Sequence, residues 1–225
     1  MRLGILGGTF NPIHLGHLRI AEEAREAAQL ERILFIPTHT PPHKGNEEII
    51  PPHVRLEMVA IAVEDNPSFD VSDMELTRGG RSYSVETLKA LRKLYPGEPP
   101  WFIIGMDSFL EIGIWKNYGE LFELTNFIVA GRPGSWEERG KENPIERLPV
   151  DMREHFCYDV ALDRIVHRCG LETRFMETTF LDISSTGVRQ KIEKGKSIRY
   201  LIPPGVENFI REKGLYRKAP SKNRH

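Results

Sequence analysis

The sequence predicts an α/β protein built on an open, mostly parallel sheet. Short apolar runs that suit buried strands alternate with longer segments whose apolar residues recur at helical spacing, and this alternation is typical of βαβ units. A glycine-rich connection at residues 7–17 follows the first apolar run. Because ligands of such sheets bind beyond the carboxyl ends of the strands, the fold class also predicts where a site should lie.

The predicted strands are apolar runs bounded by glycine, proline or polar residues. They lie at residues 3–6, 33–36, 69–74, 101–104, 127–130 and 173–176. The predicted helices lie at residues 18–30, 53–63, 84–94, 108–112, 185–194 and 204–213. The first two strands and the helix between them form one βαβ unit, for which a right-handed crossover is expected.

Helix boundaries are indicated by proline, serine and glycine. A proline pair precedes the helix at 53–63, where a missing N–H costs nothing. Ser84 is predicted to cap the helix at 84–94, and Gly214 is predicted to end the last helix. The helices should therefore begin and end where the apolar periodicity does.

Length and composition indicate one soluble domain. The chain has 225 residues, of which 40% are hydrophobic and 28% charged, and its net charge is −1. This charge gives no bulk attraction to nucleic acid, and no apolar run approaches the roughly 20 residues that cross a bilayer. We therefore expect small-molecule partners rather than a nucleic acid or a membrane.

The domain is expected to span residues 1–217. Within it, residues 134–172 have mixed charge, several prolines and only a weak helical pattern near 152–164. We interpret this stretch as a surface insertion. Residues 218–225 are expected to be a disordered tail.

Cys157 and Cys169 are the only cysteines. Their spacing fits no common zinc pattern. Reduced thiols are favoured over a metal site or a disulfide, and a cytoplasmic location is the default expectation.

The connection after the first strand carries the strongest functional signal. Gly7 and Gly8 remove two Cβ atoms where the backbone would approach a ligand, and Gly16 does the same between His14 and His17. A strand, a glycine-rich turn and a helix start form a phosphate site from backbone N–H groups and the helix dipole. Two histidines three apart share a face of a first helical turn. The plainer alternative is a tight turn with two surface histidines, and the absence of G-x-G-x-x-G argues against an NAD-dependent dehydrogenase.

A second phosphate motif is predicted at residues 183–189, which read Ile-Ser-Ser-Thr-Gly-Val-Arg. Hydroxyls at a helix start cap free N–H groups and can also reach phosphate oxygens. Arg189 lies one turn in from Ser185, so its guanidinium can point toward the same anion. Alone this motif is more often only a cap; with the first motif it predicts the other half of a polyphosphate clamp.

The pair of motifs resembles those of nucleotidyltransferases, and the narrower match is to bacterial nicotinate-nucleotide adenylyltransferases. That match rests on residues 7–14 (GGTFNPIH), 41–44 (PPHK), 81–84 (RSYS), 105–107 (GMD), Trp115, 131–134 (GRPG), 201–203 (LIP) and 210–216 (IREKGLY). Ser84 stands where this family usually has threonine, and Met106 where it often has a small residue. The resemblance covers about residues 1–133 and 175–217. It implies a Rossmann-like nucleotidyltransferase fold with C-terminal helices.

The resemblance implies transfer of the adenylyl group of ATP to nicotinate mononucleotide, in NAD biosynthesis, with Mg²⁺ bound through phosphates and not through protein side chains. It assigns catalysis to His14, His17, Lys44 and Arg189. It assigns ATP and phosphate binding to Gly7, Gly8, Thr9, Phe10, Gly16, Gly105, Asp107, Ile183, Ser184, Ser185 and Thr186. It assigns mononucleotide binding to Tyr83, Ser84, Trp115, Lys116 and Arg132.

Several alternatives stay open at this point. Trp115 could be a core residue, Lys44 a solvated lysine and Asp107 a helix cap. Another adenylyltransferase, such as phosphopantetheine adenylyltransferase, shares both phosphate motifs. A non-catalytic nucleotide sensor and an RNA-charging enzyme are more distant alternatives, and the chain lacks the Lys-Met-Ser-Lys-Ser run of the latter.

Overall fold

The computed structural model describes residues 1–42, 49–131 and 143–217. Its strands are β1 (Leu3–Gly8), β2 (Arg32–Pro37), β3 (Phe69–Val71), β4 (Trp101–Gly105), β5 (Asn126–Gly131), β6 (Phe156–Asp159), β7 (Arg164–His167) and β8 (Glu172–Glu177). Its helices are α1 (Leu15–Ala27), α2 (Pro52–Val63), α3 (Met74–Arg78), α4 (Ser84–Leu94), α5 (Met106–Leu110), α6 (Tyr118–Leu124), α7 (Ser185–Glu193) and α8 (Pro204–Glu212). Short 3₁₀ helices lie at Ile112–Ile114, Pro144–Arg147 and Val150–His155.

All eight of these strands form one sheet in the order β3-β2-β1-β4-β5-β8-β7-β6. The pairs from β3 to β8 are parallel, whereas β7 and β6 continue the sheet antiparallel. β1 is central, with Ile5 opposite Leu34 of β2 and Phe102 of β4. The predicted open, mostly parallel α/β sheet is confirmed.

Helices cover both faces of the sheet because strand residues alternate between two cores. Ile33 and Phe35 of β2 belong to the core under α1, α2 and α8. Leu34 and Ile36 of the same strand belong to the core under α4, α5 and α6. With both faces buried, the strands read as continuous apolar runs, which is why they are recognisable in the sequence.

Three local predictions are wrong. The strand expected at 69–74 ends at Val71, and helix α3 follows it directly. The weak helical pattern near 152–164 corresponds to the end of a 3₁₀ helix followed by β6 and the start of β7. Ser84 is the first residue of α4, whose N-cap is Tyr83 without a side-chain cap.

The expected surface insertion at 134–172 is described from residue 143 onward. There it supplies β6 and β7 to the sheet. Leu148, Met152 and Ile165 are buried in the same core as Phe127 of β5. This packing supports the proposal that residues 1–217 form a single domain; residues 218–225 lie outside the described part of the chain.

We predict that Ile165→Ala lowers the free energy of unfolding by about 2–5 kcal/mol, because the side chain is fully buried. Val160→Ala, at a position that is 75% exposed, should change it by less than about 0.5 kcal/mol. Urea unfolding followed by circular dichroism and by tryptophan fluorescence measures both. A single coincident transition is expected, and a separate transition that alone shifts in Ile165→Ala would contradict the single domain.

Candidate active site

A cavity of about 460 Å³ opens at the carboxyl edge of the central strands. Its walls include Gly7 and Gly8 at the end of β1, Thr38 after β2 and Gly105 at the end of β4. The volume lies in the range of small-molecule sites. The cavity therefore occupies the position that the fold class predicts for a ligand.

The turn after β1 forms one side of this cavity. Gly7, Gly8 and Thr9 line it, whereas Phe10 does not. The Phe10 side chain is 2% exposed and packs edge-on against His17, with 5.1 Å between ring centroids. Phe10 was predicted to bind ATP, but its ring is part of the core beneath the turn, so only its backbone remains available to a ligand.

The two histidines of the turn lie together at the start of α1. His14 is the N-cap residue, and its ring stacks on that of His17 with 3.7 Å between centroids. The His14 backbone N–H donates to His17 Nδ1 at 3.1 Å. A Cβ at Gly16 would lie 3.0 Å from His14 Nδ1, so this glycine leaves room for the imidazole.

Burial keeps His14 neutral. It lowers the pKa of the imidazole from 6.5 to about 4. Within the described residues, His14 Nδ1 has no hydrogen-bond partner. A neutral ring with a vacant nitrogen can donate a hydrogen bond from one nitrogen and accept one at the other.

The second phosphate motif meets the first through backbone carbonyls. Ser185 Oγ donates to the Pro12 carbonyl at 2.8 Å, and Arg189 Nη1 donates to the Asn11 carbonyl at 2.8 Å. Ser184 Oγ accepts from the Gly187 N–H and caps α7. The predicted proximity of the two motifs is thus present in the structure.

The side chains of the second motif are occupied in these contacts. Arg189 Nη2 also donates to Thr186 Oγ1 at 3.2 Å. Of the residues 183–189, Ile183 lines the cavity, whereas Ser184, Ser185, Thr186 and Arg189 do not. The segment holds the turn in place from outside the cavity.

A third group of predicted residues forms another part of the cavity wall. Tyr83, Ser84, Trp115 and Lys116 all line it. Trp115 is half-buried and contacts Phe102 edge-on at 6.4 Å between centroids. Part of this indole is therefore accessible from the cavity, which favours a binding role over the core alternative.

Lys116 uses its side chain to connect the two segments on this side. Its Nζ lies 2.6 Å from Glu86 Oε1 and 4.4 Å from the centroid of the Tyr83 ring. The hydrogen bond to Glu86 raises the pKa of Lys116. The segment at Trp115 is thereby linked to the start of α4.

The remaining predicted residues differ in their placement. Gly105 lines the cavity. Asp107 is exposed in the first turn of α5 and is not among the lining residues, although its neighbour Ser108 is. Lys44 and Arg132 lie outside the described residues.

Sequence reasoning missed a buried polar wall of the cavity, formed by Thr38, Glu75, Ser82 and Thr87. Glu75 Oε1 accepts from Thr87 Oγ1 at 2.5 Å, and Arg78 Nη2 lies 3.8 Å from the same oxygen. Thr38 Oγ1 and Glu75 Oε2 have no partner in the described part of the chain. Glu75 and Thr87 lie within helices α3 and α4, and the four residues form no recognisable motif. Only recognition of α3 could have indicated that Glu75 points inward.

The chain is similar to a known protein family and to individual proteins of other organisms. The cytidylyltransferase-like family matches residues 5–191. A protein of Syntrophotalea carbinolica that carries the name 'probable nicotinate-nucleotide adenylyltransferase' is 56% identical over 96% of this chain and 98% of its own length. A protein of Geobacter sulfurreducens with the same name is 48% identical over the same shares.

The chain belongs to the nicotinate-nucleotide adenylyltransferase family. Family membership makes it a nucleotidyltransferase. The nicotinic acid mononucleotide adenylyltransferase of Plasmodium falciparum, solved with NaAD, has the same fold, with a TM-score of 0.70 at 18% identity and coverage of 96% of this chain and 97% of that one.

The described residues contain no cluster of three or more His, Cys, Asp or Glu residues that could hold a metal ion. None of their helices combines the length and the apolar character that crossing a membrane requires. Cys157 and Cys169 are both free thiols.

The lowered pKa of His14 predicts a pH-dependent stability. The His14 imidazole binds a proton near pH 6.5 in the unfolded chain but only near pH 4 in the folded chain. The folded state is therefore not penalised by this group above pH 6.5, and the free energy of unfolding decreases as the pH falls from 6.5 toward 4. Between pH 7 and pH 5 the loss should be about 1–2 kcal/mol of unfolding free energy.

Urea unfolding at both pH values measures this loss. His14→Gln should lose correspondingly less stability between them than the wild type does. His53→Gln, at an exposed position, should behave as the wild type. Equal losses in wild type and His14→Gln would contradict the assignment.

Proposed function

We propose that the chain transfers the adenylyl group of ATP to nicotinate mononucleotide, producing nicotinate adenine dinucleotide and pyrophosphate in NAD biosynthesis. One observation carries the proposal: a single cavity joins the stacked His14–His17 pair and the glycine turn to a half-buried Trp115. The first group suits phosphates and the second suits a flat ring. Both substrates have a phosphate, and the mononucleotide also has a pyridine ring.

The chemistry requires positioning more than activation. The 5′-phosphate of the mononucleotide is already an anion at neutral pH, so it can attack the α-phosphorus of ATP without a protein base. A bond forms between that phosphate oxygen and the α-phosphorus, and the bond to the bridging oxygen of the pyrophosphate breaks. Catalysis then consists of alignment and of hydrogen bonds to the charge that develops in the transition state.

His14 and His17 would supply those hydrogen bonds, together with the N–H groups of the turn. A neutral imidazole donates to a phosphate oxygen without the desolvation cost of a buried cation. Lys44 and Arg189 would neutralise charge on the leaving pyrophosphate. Arg189 does not line the cavity, so its charge would act through the turn, against which its hydrogen bond to the carbonyl of Asn11 holds it.

Magnesium would enter as part of the Mg–ATP substrate. Mg²⁺ keeps several waters and binds readily through phosphate oxygens, so the proposal assigns it no protein ligand. The exposed carboxylate of Asp107 would accept a hydrogen bond from a ribose hydroxyl beside Gly105. A cytoplasmic location belongs to the same proposal and is supported by the two free thiols.

The pyridine end of the cavity should prefer an acid to an amide. Ser84 begins α4, and the first N–H groups of a helix carry partial positive charge and lack helical partners. The hydroxyl of Ser84 and the backbone at Lys116 would add donors. Hydrogen bonds to a carboxylate are roughly twice as strong as those to a neutral acceptor, whereas an amide would turn its own N–H groups toward donors.

Pyrophosphate release from ATP tests the function directly, with nicotinate mononucleotide, nicotinamide mononucleotide or phosphopantetheine as acceptor. We expect kcat/KM for the acid to exceed that for the amide by about a hundredfold, because two mismatched hydrogen bonds cost about 1–3 kcal/mol each. Equal rates would contradict the donor assignment while leaving adenylyl transfer intact. Turnover with phosphopantetheine alone would move the chain to a different adenylyltransferase.

Trp115→Ala should raise KM for the mononucleotide about 10–100-fold while leaving KM for ATP nearly unchanged, because stacking on an aromatic face contributes about 1–3 kcal/mol. Trp115→Phe keeps an aromatic face and is the matched control, with a smaller rise. Steady-state kinetics with each substrate varied in turn separates the two KM values. An equal rise in both, or loss of folding, would indicate that Trp115 is a core residue.

A further inference from the structure

A fully buried arginine lies behind the phosphate turn. Arg55 is in the first half of α2, and its exposed fraction is 0%. Arginine is rarely buried to this extent without a charged partner. Neither the sequence motifs nor the proposed chemistry assigns a role to it.

The guanidinium of Arg55 holds three separate segments through their backbone carbonyls. Its Nη1 donates to Thr9 at 2.7 Å, its Nη2 to His39 at 2.9 Å and its Nε to Ile50 at 3.1 Å. Thr9 belongs to the turn that lines the cavity, and His39 and Ile50 lie on the connection between β2 and α2. One side chain thus joins the turn to both ends of that connection.

The charge of Arg55 is unusual because it is solvated by carbonyl oxygens. The three hydrogen bonds of Arg55 all go to backbone carbonyls, and the carboxylate of Glu75 adds an electrostatic attraction without one of these hydrogen bonds. Burial lowers the pKa of Arg55 to about 10, so the group stays charged at neutral pH. An apolar side chain would avoid the desolvation cost of the guanidinium but would leave three buried carbonyls without a donor. The donors and the charge are therefore two separate contributions of this side chain.

The contact with Thr9 has a direct effect on the turn. In a trans peptide the C=O and the following N–H point in opposite directions. Donation by Nη1 to the Thr9 carbonyl therefore fixes the N–H of Phe10 toward the other side of the peptide plane. The same charge-assisted hydrogen bond polarises this peptide and makes that N–H a better donor.

We propose that Arg55 is a positioning residue for adenylyl transfer, which orients the Thr9–Phe10 peptide toward the phosphates and places a full positive charge one peptide unit behind them. This inference rests on the proposed function. The charge favours polyphosphate binding, and the three hydrogen bonds keep the turn in register with the connection that follows β2.

The experiment separates charge, positioning and stability with three variants of the full chain. Arg55→Met keeps an unbranched stem without charge or donors. Arg55→Lys keeps the charge, but a single ammonium cannot reach three carbonyls on three segments. Val63→Ala is the matched control, because it removes fully packed atoms from the same helix about 12 Å farther along its axis.

Each variant is tested by two measurements. Steady-state kinetics gives kcat and KM for both substrates, and calorimetry gives the dissociation constant of Mg–ATP at a temperature where every variant is folded. We expect kcat/KM for ATP to fall about a hundredfold in Arg55→Met and about tenfold in Arg55→Lys. Mg–ATP binding should weaken in Arg55→Met and be partly retained in Arg55→Lys. Val63→Ala should lower the melting temperature without changing either quantity.

Three outcomes would overturn the proposal. Normal kinetics and Mg–ATP binding in folded Arg55→Met would reduce Arg55 to a stabilising residue. Equal losses in Val63→Ala would attribute the effect to stability, and equal losses in Arg55→Lys and Arg55→Met would exclude a contribution from charge. If the wild type does not use nicotinate mononucleotide, the proposed function fails, but the calorimetric comparison still decides the role of Arg55.

Discussion

The site depends on one constraint: the backbone carbonyls of the turn between β1 and α1 accept hydrogen bonds from side chains of other parts of the fold. Buried peptide groups need partners, and here the partners are side chains from distant elements. Arg55 of α2 takes the carbonyl of Thr9, Arg189 of α7 takes that of Asn11, and Ser185 takes that of Pro12. With these carbonyls held outside the cavity, the glycines and histidines of the same turn are free to form its wall.

The sheet explains why this turn meets a second, chemically different surface. β1 and β4 are neighbouring parallel strands, so the segments that follow them start at the same edge. The turn and its histidines follow β1, while Trp115 follows β4 and lines the cavity together with the start of α4, to which its neighbour Lys116 is linked. The proposed phosphate-binding turn and the proposed ring-binding tryptophan therefore follow adjacent strands whose spacing the sheet holds constant, and the polar residues around Glu75 line the same cavity.

Much of this could be predicted from the sequence because buried strands and glycine turns leave local patterns. The six apolar strands and the placement of His14, Ser84 and Trp115 around one cavity follow from such patterns and from the family resemblance. Strands β6 and β7 were missed because they lie toward the sheet edge, where β6 has no buried residue, β7 has only alternate ones such as Ile165, and charged residues interrupt both runs. The burial of Arg55 and of the Phe10 ring could not be predicted, since an arginine in a helix and a phenylalanine in a loop give no local sign of being buried.

Tyr216 links the end of the described chain to the turn after β1. Its phenol donates to Asn11 Oδ1 at 2.9 Å across a separation of 205 residues, and burial raises its pKa, so it stays a donor at neutral pH. Every strand of the sheet precedes residue 178, yet Ser185, Arg189 and Tyr216 all come later. During synthesis, a growing chain can therefore assemble the sheet while the turn that lines the cavity still lacks the hydrogen bonds from Ser185, Arg189 and Tyr216. Those bonds form only when the C-terminal segments have packed against the first loop.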